Sequence, residues 1–320
     1  MYRFQIVFLL FAMASPCASQ AASVKCTRED GRVRVTVDGE PFTAYVFGDI
    51  KRPCLWPVVA PGNRTVTRSW PLGEATGGEK KDHPHHTGIW FGHGDVNGVD
   101  FWHPQSKTHG GRIEITHWIG DPKTTGQIRV HQRWLGPDGK QMARDETTLA
   151  FGADKDTRWI DWTVRVIASN GPLRFGDTKE GTLGVRMHPA LRLEGSVAKG
   201  EVLSATGKTG KGVWGKRAAW IDYYGEVDGE TVGIAIMDHP ANPRYPTWWH
   251  ARAYGLCAAN PFGTRAFEGK KQPKGDFVVA DNGSVTFRWR LVMHRGDAES
   301  AKIGARHQAW GASSGKPGKK

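Results

Sequence analysis

The stretch SVTFRWRLVM, residues 284–293, carries the clearest structural pattern in this 320-residue chain. Successive side chains of a β-strand point to opposite faces of a sheet, so strict alternation of apolar and polar residues predicts a strand with one buried face and one wet face. The apolar face holds Val285, Phe287, Trp289, Leu291 and Met293, and the polar face holds Thr286, Arg288 and Arg290.

The same alternation recurs along most of the chain. It is found in RVRVTVDGEPFTAYVF (32–47), GRIEITHWI (111–119), GQIRVHQRWLGPDGKQM (126–142) and WIDWTVRVIAS (159–169). Asp38-Gly39 and Pro137-Asp138-Gly139 are typical of hairpin turns. Helical periodicity is limited to AKIGARHQAW (301–310). We therefore predict an all-β protein, a large antiparallel β-sandwich that forms one domain over residues 22–306, followed by a flexible basic tail over 307–320.

The N-terminal residues predict export. Arg3 precedes an apolar run from Phe4 to Ala14, and Ser19-Gln20-Ala21 offers a small-x-small cleavage site. This pattern is typical of a signal peptide over residues 1–21 and indicates a secreted or periplasmic protein. No later stretch approaches the roughly 20 apolar residues of a transmembrane helix, so we expect no stable membrane insertion.

Cleavage would leave three cysteines, Cys26, Cys54 and Cys257. Their spacing matches no zinc or redox motif. One bridge, for example Cys26–Cys54, is compatible with an oxidising compartment, but three thiols cannot form a disulfide framework. A packed core must therefore supply most of the stability.

The formal net charge of +12 is spread along the chain rather than gathered in one patch. Together with the export signal, this distribution argues against nucleic acid as the partner. It favours acidic polymers, including anionic polysaccharides. The 14 tryptophans point the same way, because indole rings stack on the apolar faces of sugars and neighbouring polar groups bind the hydroxyls. We therefore expect a saccharide or polysaccharide ligand.

The segment KDHPHHTGIWFGHGDVNGVDFWHP, residues 81–104, concentrates five of the 13 histidines. Imidazole suits proton transfer near neutral pH and is also a common metal ligand. We expect some histidines, including His85 and His103, to be structural. No cofactor is indicated, and the identity of any metal is open. The catalytic candidates here are His86 and His93; the substrate-binding candidates are Trp90, Asp95, Asn97 and Trp102.

Two further segments carry chemically useful side chains. FGDTKEGTLGVRMHPAL (175–191) places Arg186 and His188 two residues apart, hence on one face of a strand. In GIAIMDHPANPRYPTWWHARAYGLCAANPFG (233–263) an apolar strand ends in Asp238-His239, and we expect the following Trp248 and Trp249 to be exposed in a loop. The catalytic candidates are Glu180, His188, Asp238 and His239; the substrate-binding candidates are Arg186, Asn242, Trp248, Trp249 and His250.

The motifs DHPHHTGIWFGHGDVNGVDFW, GDTKEG, DHPANPRYPTWWHARAYGL and NPFG resemble a bacterial family labelled "methane oxygenase PmoA", also treated as a domain of unknown function. That label implies a membrane subunit, which the absence of a transmembrane pattern after the signal does not support. The outline is similar to the galactose-mutarotase-like super-sandwich, whose epimerases use a histidine acid and a carboxylate base. The resemblance implies His86 or His188 as the acid, with Glu180 or Asp238 as the base.

These observations predict an exported carbohydrate-active enzyme, a hydrolase, lyase or epimerase that uses histidine and carboxylate acid–base chemistry. Two alternatives stay open. One is a non-catalytic carbohydrate-binding module with Trp248 and Trp249 exposed. The other is a metal-dependent oxidoreductase or hydrolase centred on His83, His86 and His93. The enzymatic hypothesis requires residues 83–97, 180–188 and 238–250 to line one cleft.

Overall fold

The computed structural model describes residues 22–313, so the predicted signal peptide lies outside the described residues. The strands in chain order are β1 (Val24–Glu29), β2 (Arg32–Val37), β3 (Glu40–Val46), β4 (Cys54–Ala60), β5 (Arg64–Thr65), β6 (Ile89–Phe91), β7 (Arg112–Trp118), β8 (Gln127–Leu135), β9 (Gln141–Ala153), β10 (Thr157–Ile167), β11 (Leu173–Phe175), β12 (Leu183–Arg186), β13 (Gly200–Ser204), β14 (Trp220–Val227), β15 (Glu230–Asp238), β16 (Trp248–Trp249), β17 (Leu256–Asn260), β18 (Phe277–Val279) and β19 (Ser284–Arg295). The α-helices are α1 (Pro122–Thr125), α2 (Thr264–Glu268) and α3 (Ile303–Ser313), and short 3-10 helices span Pro189–Leu191 and Gly210–Val213.

Two large sheets contain most of the strands. The first sheet has the order β1-β2-β3-β4-β6-β12-β17-β16, with β5 beside β4, and the second has the order β13-β14-β15-β19-β10-β9-β8-β7. Strands β11 and β18 form a separate pair. Neighbouring strands in all three sheets run antiparallel. The prediction of an antiparallel β-sandwich is therefore confirmed.

The alternation in the sequence explains the second sheet. Strand β19 lies between β15 and β10, and its apolar residues, among them Phe287 and Leu291, are buried in the core between the sheets. Trp162 of β10 lies opposite Trp289 of β19, so two large side chains share the buried face. Asp38 and Gly39 both have positive φ, 51° and 85°, as the tight β2–β3 turn requires.

The first sheet buries side chains on both faces. Its inner face packs against the second sheet, whereas a separate apolar cluster that includes Cys54, Trp90 and Trp102 covers its opposite face. We call this opposite face the outer face. Loops 66–88 and 100–111 contribute side chains to it, among them Leu72 and Trp102. The outer face is where the histidine-rich segment lies.

Two details of the predicted organisation need correction. Helix α3 runs to Ser313, into the segment 307–320 that we expected to be a flexible tail, and it buries His307 and Trp310; residues 314–320 lie outside the described part. Cys26, Cys54 and Cys257 are buried free thiols. The bridge Cys26–Cys54 is not formed because Cys26 lies in the core between the sheets and Cys54 belongs to the outer-face cluster.

Candidate functional site

Two small residues on neighbouring strands, Gly184 and Ala258, leave room for large side chains on the outer face. Trp90 of β6 lies opposite Gly184 of β12, which lies opposite Ala258 of β17. Ala258 and His250 exchange two backbone hydrogen bonds, so their side chains share one face. A Cβ atom on Gly184 would overlap the rings of Trp90 and Trp102. The glycine therefore lets both indoles lie against the sheet.

Strand β6 separates the histidines that flank it. Ile89 and Phe91 point into the core between the sheets, whereas Trp90 points to the outer face. Because side chains alternate along a strand, His93 continues the inner face. His86 precedes the strand in a loop and stacks on Trp90. The histidines of segment 81–104 therefore do not all lie on one face: His86 lies on the outer face and His93 on the inner face.

Four aromatic rings form a continuous stack on the outer face. The ring centroids of Tyr254 and His83 lie 5.3 Å apart with an interplanar angle of 8°. Those of His83 and His86 lie 4.9 Å apart with an angle of 4°. His86 in turn lies 5.2 Å from Trp90 with an angle of 15°. We call Tyr254, His83, His86 and Trp90 the ring stack. It joins one loop, β6 and the turn before β17 into one surface.

Two more imidazoles meet the edge of the ring stack. The ring centroid of His85 lies 4.3 Å from that of His86 at an interplanar angle of 74°. His103, from the loop after β6, lies 4.3 Å from His85. Four histidines from two loops therefore converge at the outer face. His85 and His103, which we expected to be structural, lie beside the ring stack, and their role stays a prediction.

Three buried arginines hold the histidine loop in place. Arg52 donates to the carbonyl oxygens of Phe101 and Trp102, each at 2.8 Å, and to that of His85 at 2.6 Å. Arg68 donates to the carbonyl oxygens of Asp82, His83 and His86 at 2.8–3.2 Å. Buried guanidinium groups require such partners, so the arginines and the loop conformation depend on each other.

Arg186 fixes the tautomer of His86. Its Nη1 donates to His86 Nδ1 at 3.2 Å, and its Nη2 donates to Asp82 Oδ1 at 2.8 Å. A guanidinium has no acceptor, so Nδ1 must offer its lone pair and the ring proton of neutral His86 lies on Nε2. Asp82 Oδ1 also accepts from Arg68 Nη1 at 2.8 Å, which closes the network.

Two of the outer-face histidines, His85 and His86, lie in surroundings that disfavour the charged ring. Burial lowers the pKa of His85 to about 3, and the neighbouring His103 and Arg52 add to the effect. Burial, together with His85 and Arg186, also lowers the pKa of His86. Desolvation and nearby positive charge both disfavour the imidazolium. His85 and His86 are therefore neutral imidazoles at physiological pH.

Glu180, Tyr254 and His250 complete the candidate site. Glu180 accepts from Lys179 Nζ at 2.8 Å. Burial raises the pKa of the Tyr254 phenol, with Glu180 and Asp82 adding to the rise, and it lowers the pKa of His250 to about 4. Tyr254 is therefore a protonated hydroxyl that donates hydrogen bonds. A negative charge raises the pKa of other titratable groups around it, and Glu180 contributes in this way to the pKa values of both Tyr254 and His250.

Several ring nitrogens on this face have no hydrogen-bond partner within residues 22–313. They are buried without a partner, and each such polar atom lowers the stability of the fold unless a ligand or a water molecule forms a hydrogen bond with it. An oxygen-rich ligand would offer the acceptors and donors that these atoms lack. The atoms are Trp90 Nε1, Trp102 Nε1, His85 Nδ1 and His250 Nδ1.

Six of the predicted site residues share the outer face. They come from all three segments that we expected to meet, although the third segment contributes only one of them. Their positions agree with a common site, and their roles stay predictions. They are His86, Trp90, Trp102, Glu180, Arg186 and His250.

The structure places His93, Asp95 and Asn97 elsewhere. His93 is buried between Phe175 and Phe262, and its Nε2 donates to the carbonyl of Gly176 at 2.8 Å. Asp95 pairs with Arg174 at 2.9 Å. Asn97 contacts the backbone of the same segment, accepting from the Arg174 amide. These residues join the loop after β6 to β11 and do not meet the predicted site residues on the outer face.

His188, Asp238, His239 and Asn242 also lie outside the site. His188 accepts from the Ala190 amide and borders a separate polar cavity of about 540 Å³. Asp238 accepts from Asn242 Nδ2 at 2.7 Å and from the Thr247 amide at 2.9 Å, and so anchors the loop between β15 and β16. His239 packs edge-on against Trp310 of α3. These groups serve the scaffold.

Trp248 and Trp249 are buried, contrary to prediction. The indole of Trp249 donates to the carbonyl of Ala218 at 2.9 Å, and that of Trp248 donates to Glu268 at 2.8 Å. They form strand β16 at the edge of the first sheet and are not an open platform. The binding-module hypothesis therefore loses the feature on which it rested.

The metal hypothesis requires His83, His86 and His93 to lie together, and the structure separates them. His83 and His86 are stacked neighbours, but His93 lies on the inner face. Within the part of the chain that the structure describes, no three His, Cys, Asp or Glu side chains are arranged to hold a metal ion.

No described helix is long and apolar enough to cross a membrane.

Sequence reasoning missed Asp82, Tyr254, Arg52 and Arg68. Asp82 adjoins the histidine run and Tyr254 lies four residues after His250, so proximity to chosen residues was an available signal for both. Arg52 and Arg68 lie in segments without a motif. Only the fold shows that their guanidinium groups bind the backbone of residues 82–86 and 101–102.

The fold and the site define a histidine-rich antiparallel sandwich. Residues 32–308 match DUF6807, a family of unknown function, and the chain belongs to this family. The resemblance to a methane oxygenase family is not supported by this match. No sequence among the curated proteins matches the chain.

Solved structures similar to the chain include galactose mutarotase-like proteins, as the sequence resemblance implied. One, from Clostridium acetobutylicum, has 8% identity, covers 87% of this chain and 100% of its own, and has a TM-score of 0.38. A galactose mutarotase related enzyme from Lactobacillus acidophilus has 9% identity, coverages of 85% and 97%, and a TM-score of 0.29. A putative aldose 1-epimerase from Escherichia coli K12 has 10% identity, coverages of 86% and 99%, and a TM-score of 0.30. These likenesses carry no argument about activity.

Proposed function

We propose that the chain is an enzyme that acts on a saccharide at the outer face of the first sheet, by proton transfer between the sugar and Glu180 with His86 as a hydrogen-bond donor to the sugar. The observation that carries this proposal is the convergence of four histidines with Tyr254 and Glu180 on one face. Three buried arginines hold that arrangement. A neutral imidazole held in a fixed orientation, such as that of His86, can donate a hydrogen bond to charge that develops on a substrate oxygen.

His86 and Glu180 have distinct roles in this proposal. The Nε2–H of His86 donates to a sugar oxygen and stabilises negative charge that develops there, because Arg186 keeps its Nδ1 as an acceptor. The Glu180 carboxylate accepts a proton from the sugar. Among the acid and base candidates in the sequence, only this pair lies on the outer face; His188 and Asp238 belong to other regions.

The surrounding groups fit a sugar ligand. Tyr254 is partly exposed and offers a hydroxyl, and the exposed ring of His83 lies stacked on it. Saccharides present many hydroxyl oxygens and apolar ring faces, so both kinds of group find partners. Epimerisation, elimination and hydrolysis all require such a proton transfer, and the experiment below distinguishes them by their products.

The test is turnover of a panel of free sugars, uronic acids and oligosaccharides, followed by ¹H NMR. Anomer or epimer exchange, an unsaturated product or a released sugar identifies the reaction. We expect His86→Gln and Glu180→Gln each to lower turnover by about 10²–10⁴-fold. His117→Gln is the matched control, because His117 is an exposed histidine on β7 of the second sheet. Equal activity in His86→Gln and His117→Gln would refute the proposal.

A further inference from the structure

A small cavity borders the ring stack. It has a volume of about 300 Å³, at the lower end of the range of small-molecule pockets, which suits one sugar ring better than a longer chain. Tyr254 belongs both to this cavity and to the ring stack, so a ligand in the cavity lies next to the histidines. The lining residues are Glu194, Lys211, Trp214, Ala251, Arg252, Ala253 and Tyr254.

Positive charge dominates the cavity. Lys211 pairs with Glu194 at 3.1 Å, and both side chains are more than half exposed. Arg252 forms no ion pair within residues 22–313, and its guanidinium lies over the Tyr254 ring at 5.7 Å. On the same ring, Arg186 lies 4.7 Å from the centroid. A free guanidinium beside a cavity favours an anionic group, which it binds through paired N–H donors.

The opposite part of the cavity is aromatic. Trp214 packs edge-on against Phe267 at 5.6 Å, and Phe267 contacts His250 at 6.1 Å. These contacts hold the indole in place and link it to the candidate site. Its Nε1 is buried without a hydrogen-bond partner among the described residues. A fixed indole beside cations is suited to the apolar face of a ring that also carries an acidic group.

We propose that this cavity is a subsite for a sugar ring that bears an anionic group, adjoining the ring that reacts at the ring stack. The inference rests on the proposed function and adds the substrate class, an acidic saccharide of at least two rings. Arg252 binds the anionic group, and Trp214 contacts the ring face. Arg252 and Trp214 are therefore specificity residues and take no part in proton transfer.

The test is isothermal titration calorimetry of the full chain with three probes: glucuronate, glucose 6-phosphate and glucose. We expect at least one anion to bind about tenfold more tightly than glucose, the gain expected of one charge-assisted contact. Whether glucuronate or glucose 6-phosphate is preferred distinguishes a carboxylate from a phosphate. Equal binding of all three probes would overturn the inference.

Two variants assign the effect to the cavity. Arg252→Gln should remove the preference for the anion and leave glucose binding unchanged, whereas Trp214→Leu should weaken all three probes several-fold. Arg129→Gln is the matched control, an exposed arginine on β8 of the second sheet that forms no ion pair in the described region. Loss of the preference in Arg129→Gln, or its survival in Arg252→Gln, would contradict the assignment.

Failure of this inference differs from failure of the proposed function. Binding of the probes does not require turnover, so His86→Gln should retain the anion preference. If turnover depends on His86 but the probes bind equally, only the subsite is refuted. If the anion preference depends on Arg252 but His86→Gln turns over normally, the acid–base role is refuted and the binding site stands.

Discussion

Histidines in two regions of the molecule are withdrawn from water, yet their pKa values move in opposite directions. In the second sheet, His294 Nε2 donates to Asp222 Oδ1 at 3.0 Å and both side chains are fully buried. Burial alone would lower the pKa of His294, but Asp222 outweighs it and the pKa rises. At the outer face, burial and neighbouring cations lower the pKa of His86.

The difference shows that a carboxylate partner can outweigh burial and reverse the direction in which the pKa of a buried imidazole moves. Asp222 faces His294 across Gly233, whose Cβ atom would overlap the imidazole, so that region is built around one ion pair. At the ring stack, Asp82 is bound by Arg68 and Arg186 and also pairs with His83 at 3.3 Å, but no carboxylate pairs with His86 among the described residues. The ion pair in the second sheet thus favours the charged ring of His294, whereas the surroundings of His86 favour the neutral one.

The largest effect is expected from a substitution that breaks the Asp222–His294 ion pair in the second sheet. Asp222→Asn should lower the free energy of unfolding by about 3–5 kcal/mol, because a buried charged partner is left uncompensated. Chemical denaturation measures it. The control is Asp156→Asn, since Asp156 lies 4.0 Å from Arg295 and is more than half exposed; its cost should be below about 1 kcal/mol. Similar costs for the two variants would show that the buried pair is not structural.

The second prediction concerns the tautomer of His86. Arg186→Met removes the donor to Nδ1, so both tautomers become available and turnover should fall about hundredfold. Nitrogen NMR of the imidazole should show Nδ1 as the acceptor in the native protein and a mixture in the variant. Arg192→Met is the control, because Arg192 is a buried arginine that binds the carbonyl oxygens of Pro189 and Gly78. A single unchanged tautomer in Arg186→Met would contradict the role of Arg186.

The fold could be predicted from sequence because its signal is local. Strands β2, β8, β10 and β19 each bury alternate residues, and that period is visible in the sequence without knowledge of their partners. Around β6 the same period holds, since Trp90 points to the outer face and Ile89 and Phe91 point to the inner face. What it could not show is which face carries the site.

The site was harder to predict because its contacts are distant in sequence. Arg186 meets His86 across 100 residues and Arg52 meets Trp102 across 50. Trp248 and Trp249 look like an exposed pair in a proline-rich loop, yet pairing with β17 buries them. Composition identified the residue types that a sugar site needs, but only the sheet order determines which of them meet.

The third prediction uses pH to sharpen the comparison. The pKa values of His85 and His250 are lowered to about 3 and 4, so the unfolded chain binds protons below pH 6.5 that the folded chain does not. Stability should therefore fall as pH decreases from about 6.5 toward 3, by at most about 1.4 kcal/mol per pH unit for each group. His294 acts oppositely: its contribution is present below pH 6.5 and is lost as pH rises through its raised pKa.

Denaturation curves from pH 4 to 8 measure this balance. His250→Gln should flatten the acidic part of the profile, and His294→Gln should flatten the part above pH 6.5. Turnover should show no acid limb near pH 6.5, because His86 stays neutral well below that value. An acid limb near pH 6.5 would indicate that a histidine other than His86 carries the reaction.

The smallest expected effect concerns His93, a histidine on the inner face. It tests whether a lowered imidazole pKa by itself marks a residue that takes part in the reaction. Burial lowers the pKa of His93 to about 4, yet His93 lies between Phe175 and Phe262 on the inner face. Asp95→Asn, next to it, removes an ion pair with Arg174 in which both side chains are about one-third exposed. The stability cost should stay below about 1 kcal/mol.

The asparagine keeps the Oδ1 that accepts from the Gly98 amide at 2.9 Å, so the loop after β6 should hold its conformation. Turnover of Asp95→Asn should then equal that of the native protein, whereas Glu180→Gln, the matched loss of one carboxylate charge at the outer face, should be impaired. If both variants lose turnover to the same extent, the inner-face region around His93 takes part in catalysis. In that event neutrality of the imidazole, rather than position on the outer face, would be the property that marks the reacting histidines.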